Sequence, residues 1–331
     1  MLDKTLERSI HLIHSINSTP DEIKLGIKLK KAFHPDEIYK FRRLNDNAVE
    51  NVINNNIWFD SPSNMNDPYD CKFTYSSSFE KNSISEEQYR IFLKLYDLNQ
   101  NDELLDKVKT GKVSYVDLLS LCGKTSANKI INSLDDLHKN NMKIFIDMHL
   151  KNTFFCSFSS IYNSLLMWAH YTENHTGFCI QYDLSKTNSD DIFIRGLFPI
   201  LYTHELFNID ELMLNRDLIN DLKFNPLYLF YPLIHKSNIW SYESEWRIII
   251  RDPLVNAPRN ISTPPISKII LGSDFFKSNL KNPTRRKLAE KLILHCKMEN
   301  INLSTMEHSS TSYEMYEVSL DHKDALEHLN F

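Results

Sequence analysis

Two glutamates interrupt an otherwise apolar and aromatic stretch at residues 240–251, WSYESEWRIIIR. Read as one strand, it puts Glu243 and Glu245 on a single face together with Arg247, because strand side chains alternate with a period of two. Paired carboxylates can divide the work of a site, one transferring a proton and the other staying ionised to stabilise positive charge. The structural alternative is a ladder pair along the strand, Glu245 with Arg247, on a solvated face. A second concentration of reactive types lies in residues 152–183, which contain Ser157, Ser159, Trp168, His170, Tyr171 and His175. His170 and His175 are one residue further apart than the i, i+4 pair that shares a zinc ion on a helix face. Structural hydrogen bonding is the stronger reading of His170. Cys156 beside Ser157 is a conceivable nucleophile, yet a thiol inside an apolar strand is usually inert. In residues 61–70, SPSNMNDPYD, the Pro, Asn and Asp cluster reads first as a turn-forming loop. Loops carry function disproportionately, which keeps Asn66 and Asp67 as cleft candidates. A metal-dependent hydrolase would draw on Asp67, Asp70, His170 and His175.

The elements that must position these groups follow from periodicity. Residues 153–158 are β-branched and aromatic, as a strand buried on both faces should be. Residues 161–171 have helical spacing, and residues 178–182 are again strand-like. Residues 1–34 read as two helices, the second opened by Thr19-Pro20-Asp21-Glu22. Residues 38–41 are a strand, 45–55 a short helix with Val49, Val52 and Ile53 inward, and 57–60 a second strand. Residues 79–150 are polar and helix-patterned, with a capping box at Ser83 and Glu86, and form a helical insertion. Residues 192–202 are strand-rich and 206–235 helical with a break at Pro226. Residues 266–271 are a strand, 282–299 an amphipathic helix, and 302–306 with 313–320 the closing strands. Unequal helical blocks between strands predict an α+β fold with a mixed, mainly antiparallel core. The division is a helical extension over 1–34, a core over 35–78 and 151–331, and the insertion over 79–150.

Composition narrows the function classes. A net charge of −5 supplies no general attraction to nucleic acid or acidic membranes. No apolar run is long enough to span a bilayer, and no membrane partner is expected. Five cysteines without paired spacing read as reduced thiols of a cytoplasmic protein. With six glycines in 331 residues, neither GxGxxG nor GxxxxGK[ST] is present, which argues against a glycine-rich phosphate loop.

Five blocks occur in order: Tyr39-Lys40-Phe41-Arg42, residues 66–70 (NDPYD), residues 155–159 (FCSFS), the run MWAHYTENHTGFCIQYD, and residues 242–247 (YESEWR). Together they resemble the bacterial domain-of-unknown-function family 2971, over roughly residues 38 to 320. Three of the blocks are also similar to the Arg, Ser-x-Ser, Glu-x-Glu pattern of mono-ADP-ribosyltransferases. That resemblance implies a split antiparallel core holding NAD as substrate, with no metal. By position it assigns Arg42 or Arg43 to the dinucleotide and Ser157 with Ser159 to supporting the catalytic carboxylate. Glu245 would stabilise the oxocarbenium-like transition state and Glu243 would serve the acceptor. Trp168, Tyr171 or Phe155 would stack on nicotinamide, with His170, Tyr39, Arg247 and His175 as further cleft residues. The implied function is a bacterial stress or anti-phage effector modifying a protein or nucleic acid. A non-catalytic nucleotide- or partner-binding module is the alternative. The chain departs from the pattern in having Phe158 where the transferases carry threonine.

Overall fold

The computed structural model describes residues 3–65, 67–74, 84, 86–95, 99–114, 117, 118, 140, 143, 144, 147, 150–188, 191–209, 225–251 and 257–329. Its strands are β1 (Glu37–Arg42), β2 (Asn56–Phe59), β3 (Phe73–Thr74), β4 (Thr153–Ser159), β5 (Phe178–Asp183), β6 (Leu197–Pro199) and β7 (Leu201–Thr203). They continue as β8 (Phe207–Asn208), β9 (His235–Ser237), β10 (Glu245–Arg251), β11 (Arg259–Ser262), β12 (Ile266–Leu271), β13 (Asn302–His308) and β14 (Met315–Ser319). Eight of them form one sheet in the order β14-β13-β12-β5-β1-β4-β10-β6. Every pairing in it is antiparallel except that of β12 with β13. This is the mixed, mostly antiparallel α+β architecture that the sequence predicts. The central strands are apolar on both faces: β4 and β5 bury nearly every residue, so water competes for few of their hydrogen bonds.

Ten described α-helices accompany the sheet. They are α1 (Lys4–His14), α2 (Pro20–Lys31), α3 (Asp46–Ile53), α4 (Glu86–Leu95), α5 (Asp102–Lys109), α6 (Leu165–Tyr171), α7 (Ile192–Arg195), α8 (Phe275–Asn279), α9 (Pro283–Met298) and α10 (His322–His328). Thr19 and Glu22 close the capping box at the start of α2. Leu6 of α1 joins the main core, and Ile10 packs with Ile200 and Ile234. Within residues 79–150, α4 and α5 share a separate apolar cluster around Tyr89, Phe92, Leu105 and Val108. Ser83, the proposed cap, lies outside the described residues, as does Cys122; the other four cysteines are buried free thiols.

Several boundaries differ from expectation. The helix expected over 161–171 begins only at Leu165, where Ser164 caps it by accepting from the Met167 N–H. Residues 192–202 hold α7 before β6 and β7, because Asp191 caps a single helical turn. Of the helical block expected over 206–235, residues 210–224 lie outside the described set; the described flanks are β8 and a 3-10 helix, Pro226–Ile234. The largest correction concerns residues 240–251. Asn238–Glu243 is a 3-10 helix and the strand starts at Glu245, with Ser244 between them in the left-handed region at φ 44°.

The turn after α6 is tightly specified. Glu173, Asn174 and His175 have φ values of 56°, 55° and 64°, a left-handed run that costs non-glycine residues energy. Gly177 follows because a Cβ there would sit 2.1 Å from the Arg42 carbonyl oxygen. Asn279 and Arg285 brace the turn, donating to the Thr176 carbonyl and hydroxyl, and Arg285 also pairs with Glu173.

Candidate functional site

The sheet splits beside β4. Strands β1 and β4 share a single register pair, Tyr39 with Ser159. Four residues further back along β4, Phe155 exchanges both backbone hydrogen bonds with Asp60 instead. Between those two points no described strand lies against this edge of β4, and the Lys40 ammonium donates to the half-buried Ser157 carbonyl at 2.6 Å. A cavity of about 270 Å³ occupies this gap. Residues 39–42 of β1 form one wall and residues 155–159 of β4 the other; Trp58, Asp60, Met65 and Asp70 approach from one side and Met167, Tyr171, Lys236, Glu243 and Glu245 from another.

Both glutamates do converge here, although not through strand alternation. Glu243 reaches the site from the end of the 3-10 helix and Glu245 from the first position of β10, with the left-handed Ser244 turning the chain between them. Lys236 of β9 joins them, its ammonium lying 2.5 Å from Glu243 Oε2 and 2.9 Å from Glu245 Oε2. All three side chains are buried. The Tyr171 hydroxyl donates to Glu243 Oε1 at 2.5 Å, and burial together with the Glu243 charge pushes the phenol well up.

Beneath Glu245 lies Arg247, which has no solvent exposure. Its Nε donates to Glu245 Oε1 at 2.7 Å, and its two terminal nitrogens clamp Asp70 at 2.9 and 2.7 Å. Further bonds reach the Leu233 carbonyl and Glu245 Oε2, so all five guanidinium donors have partners. In place of a pair on a solvated face there is a buried ion network of alternating sign at the cavity wall: Asp70, Arg247, Glu245, Lys236, Glu243.

This arrangement separates the two carboxylates chemically. Burial opposes ionisation of Glu245, but Arg247 and Lys236, with a hydrogen bond from Ser157, outweigh it and hold the carboxyl at about 2. Glu243 is raised, because burial and the neighbouring Glu245 charge exceed the help from Lys236. Burial lowers Lys236, but the two carboxylates more than restore it, and it stays protonated.

Arg42, Ser157, Ser159, Tyr39, Tyr171, Glu243 and Glu245 thus line one cavity. Ser159 acts on the loop: its hydroxyl donates to the Glu243 carbonyl at 2.7 Å. Other candidates lie elsewhere. Trp168 is completely buried behind Phe41, its indole N–H donated to the Tyr162 carbonyl. Arg43 is exposed and His170 packs near Tyr242, and neither lines the cavity. Arg247 is a buried support, His175 faces His308 at 5.3 Å between ring centres, and Asp67 caps the Tyr69 N–H. Asn66 lies outside the described residues. Among the described residues, no group of three His, Cys, Asp or Glu side chains is placed to hold a metal ion. No described helix is long and apolar enough to cross a membrane.

Residues missed from sequence are Lys236 as partner of the glutamates and Asp70 as partner of Arg247, with Lys40 and Trp58 as walls. A lysine in the apolar run YPLIHKS is a signal, since a cation among core residues needs an anion. The pattern of the segment that supplies Tyr171, Lys236, Glu243 and Glu245 is a known one. Residues 167–248 match the family described as protein of unknown function, DUF2971. The DUF2971 segment starts in α6 and ends within β10, taking in the whole ion network except Asp70. No curated protein and no solved structure matches the chain.

Proposed function

We propose that this protein is an NAD-consuming, ADP-ribosyltransferase-like enzyme acting from the cavity between β1 and β4. The observation that carries the reading is a pair of carboxylates driven apart in acidity, in a cleft that also holds Arg42 and Ser157 on neighbouring strands. Cleavage of the nicotinamide–ribose bond sends the bonding electron pair to nicotinamide and leaves an oxocarbenium-like cation on the sugar. A carboxylate ionised at every physiological pH, at the cavity wall, stabilises that cation. Glu243, the less acidic partner, takes the proton of the incoming nucleophile. Arg42 binds a phosphate, and Tyr171, Phe155 and Trp58 offer aromatic faces. Arg247, Lys236 and Ser157 already fill the acceptor positions of Glu245. The ribose hydroxyl reaches Glu245 from the cavity side, where Ser157 is its neighbour on the wall. The acceptor is a protein or nucleic acid side group, as in a stress or anti-phage effector.

A second reading, a nucleotide-binding module without catalysis, is favoured by that same saturation of Glu245. Nicotinamide release from NAD by purified protein, with and without cell lysate, decides between them. The transferase predicts release that disappears in Glu245→Gln. No release under either condition, with both proteins folded, overturns it.

A further inference from the structure

A second cavity of about 380 Å³ adjoins the first and shares Arg42 and Trp58 with it. Five of its eight lining residues are asparagines, beside Arg42, Glu50 and Trp58. Asn47, Glu50, Asn51 and Asn54 lie at i, i+3, i+4 and i+7, so they form one face of α3 and its cap. Opposite them stand Asn56 of β2 and Asn260 of β11, two strands paired in register. Asparagine is a poor helix former, so helix stability does not account for this face. The amides are also pre-set. Asn51 is buried and donates to Asn56 at 2.5 Å and Asn260 at 3.0 Å, while accepting from Arg42 at 3.3 Å. Trp58 is 45% exposed at the boundary between the two cavities, although tryptophan usually buries its ring.

We propose that this amide-lined cavity binds the adenosine half of the dinucleotide, with Trp58 stacking on the base and Arg42 holding the diphosphate that joins the two halves. This rests on the NAD reading of the first cavity. Side-chain amides present a donor and an acceptor together, the complement of the adenine edge formed by its exocyclic amine and ring nitrogen. A tryptophan face adds stacking that any base can use. A single cation shared by two cavities suits a ligand whose charge lies in its middle.

The test is equilibrium binding of AMP and of nicotinamide mononucleotide, measured separately, on wild type, Trp58→Ala and Asn260→Leu. Asn260 is an exposed strand residue, so the second variant guards against a folding defect in the first. Saturable AMP binding that each variant weakens roughly tenfold or more supports the proposal. AMP binding unchanged in both folded variants overturns it, as does binding of nicotinamide mononucleotide without any of AMP; the NAD reading survives either result. AMP binding lost in the variants, from a protein that releases no nicotinamide, keeps the adenosine site and ends the transferase. Binding of neither nucleotide ends both.

Discussion

Among the described residues Lys236 is the one cation shared by both carboxylates, and replacing it with methionine isolates what that sharing is worth. The variant keeps a similar volume but leaves Glu243 and Glu245 buried beside each other with Arg247 as the remaining neighbouring charge. Holding the Glu245 carboxyl at about 2 rather than the ordinary 4.5 corresponds to about 3 kcal/mol of stability at neutral pH. Part of this comes from Lys236. Removing one partner from a buried ion pair typically costs about 3–5 kcal/mol, and that is the loss expected at pH 7. The pH dependence fixes the cause. Glu243 already has a folded value above its unfolded one, and without the ammonium it moves higher. A carboxyl of that kind binds more protons when folded, so stability falls as pH rises from the unfolded value through the folded one. Lys236→Met should therefore lose least near pH 5 and most near pH 8. Urea unfolding of both proteins across this range, followed by tryptophan fluorescence, measures it. A loss below about 1 kcal/mol that does not vary with pH would refute the network as an electrostatic unit.

Other perturbations probe separate parts of the molecule. Lys30 is buried against the Arg195 and Leu197 carbonyls and the Phe198 ring, and burial lowers it to about 7. Its unfolded form binds the proton up to the ordinary 10.5, so wild-type stability should climb between pH 7 and 10. In Lys30→Met this climb should shrink, read by the same denaturation series. Ser244→Gly relieves a left-handed residue and should stabilise the fold by about 1 kcal/mol in a melting experiment. The same change loosens Glu243, and nicotinamide release should drop. Gly177→Ala would press a methyl into the Arg42 carbonyl at 2.1 Å, and should destabilise by at least 1–3 kcal/mol, on the order seen for overpacking. Soluble yield and melting temperature report it.

How far the site could be read from sequence depended on whether its cause was local. β4 and β5 are apolar on both faces and declare themselves by composition. The glutamates stand out for the same reason, as charges inside an apolar run. What composition cannot carry is the left-handed Ser244, since serine has no marked preference for that conformation. Without it, a continuous strand was the natural reading of residues 240–251. Glu243 and Glu245 met anyway, through Lys236, which precedes them by only seven and nine residues. Asp70 is 177 residues from Arg247, and only the tertiary fold brings the two together. The transferase resemblance implied Trp168 as a stacking surface for nicotinamide. The fold uses it as core, its N–H satisfied by Tyr162.

The order in which the chain leaves the ribosome gives the split sheet a further meaning. β4 is synthesised long before β10, yet seven of its residues pair with that later strand. Until residue 251 emerges, TFFCSFS presents an unpaired apolar edge, the kind of segment on which chains associate wrongly. Asp70 meanwhile waits without its arginine. The cavity, the ion network and the protection of β4 all arrive together in the last third of translation. A chain cut before residue 245 would therefore lack Glu245 and Arg247 and leave that edge of β4 unpaired.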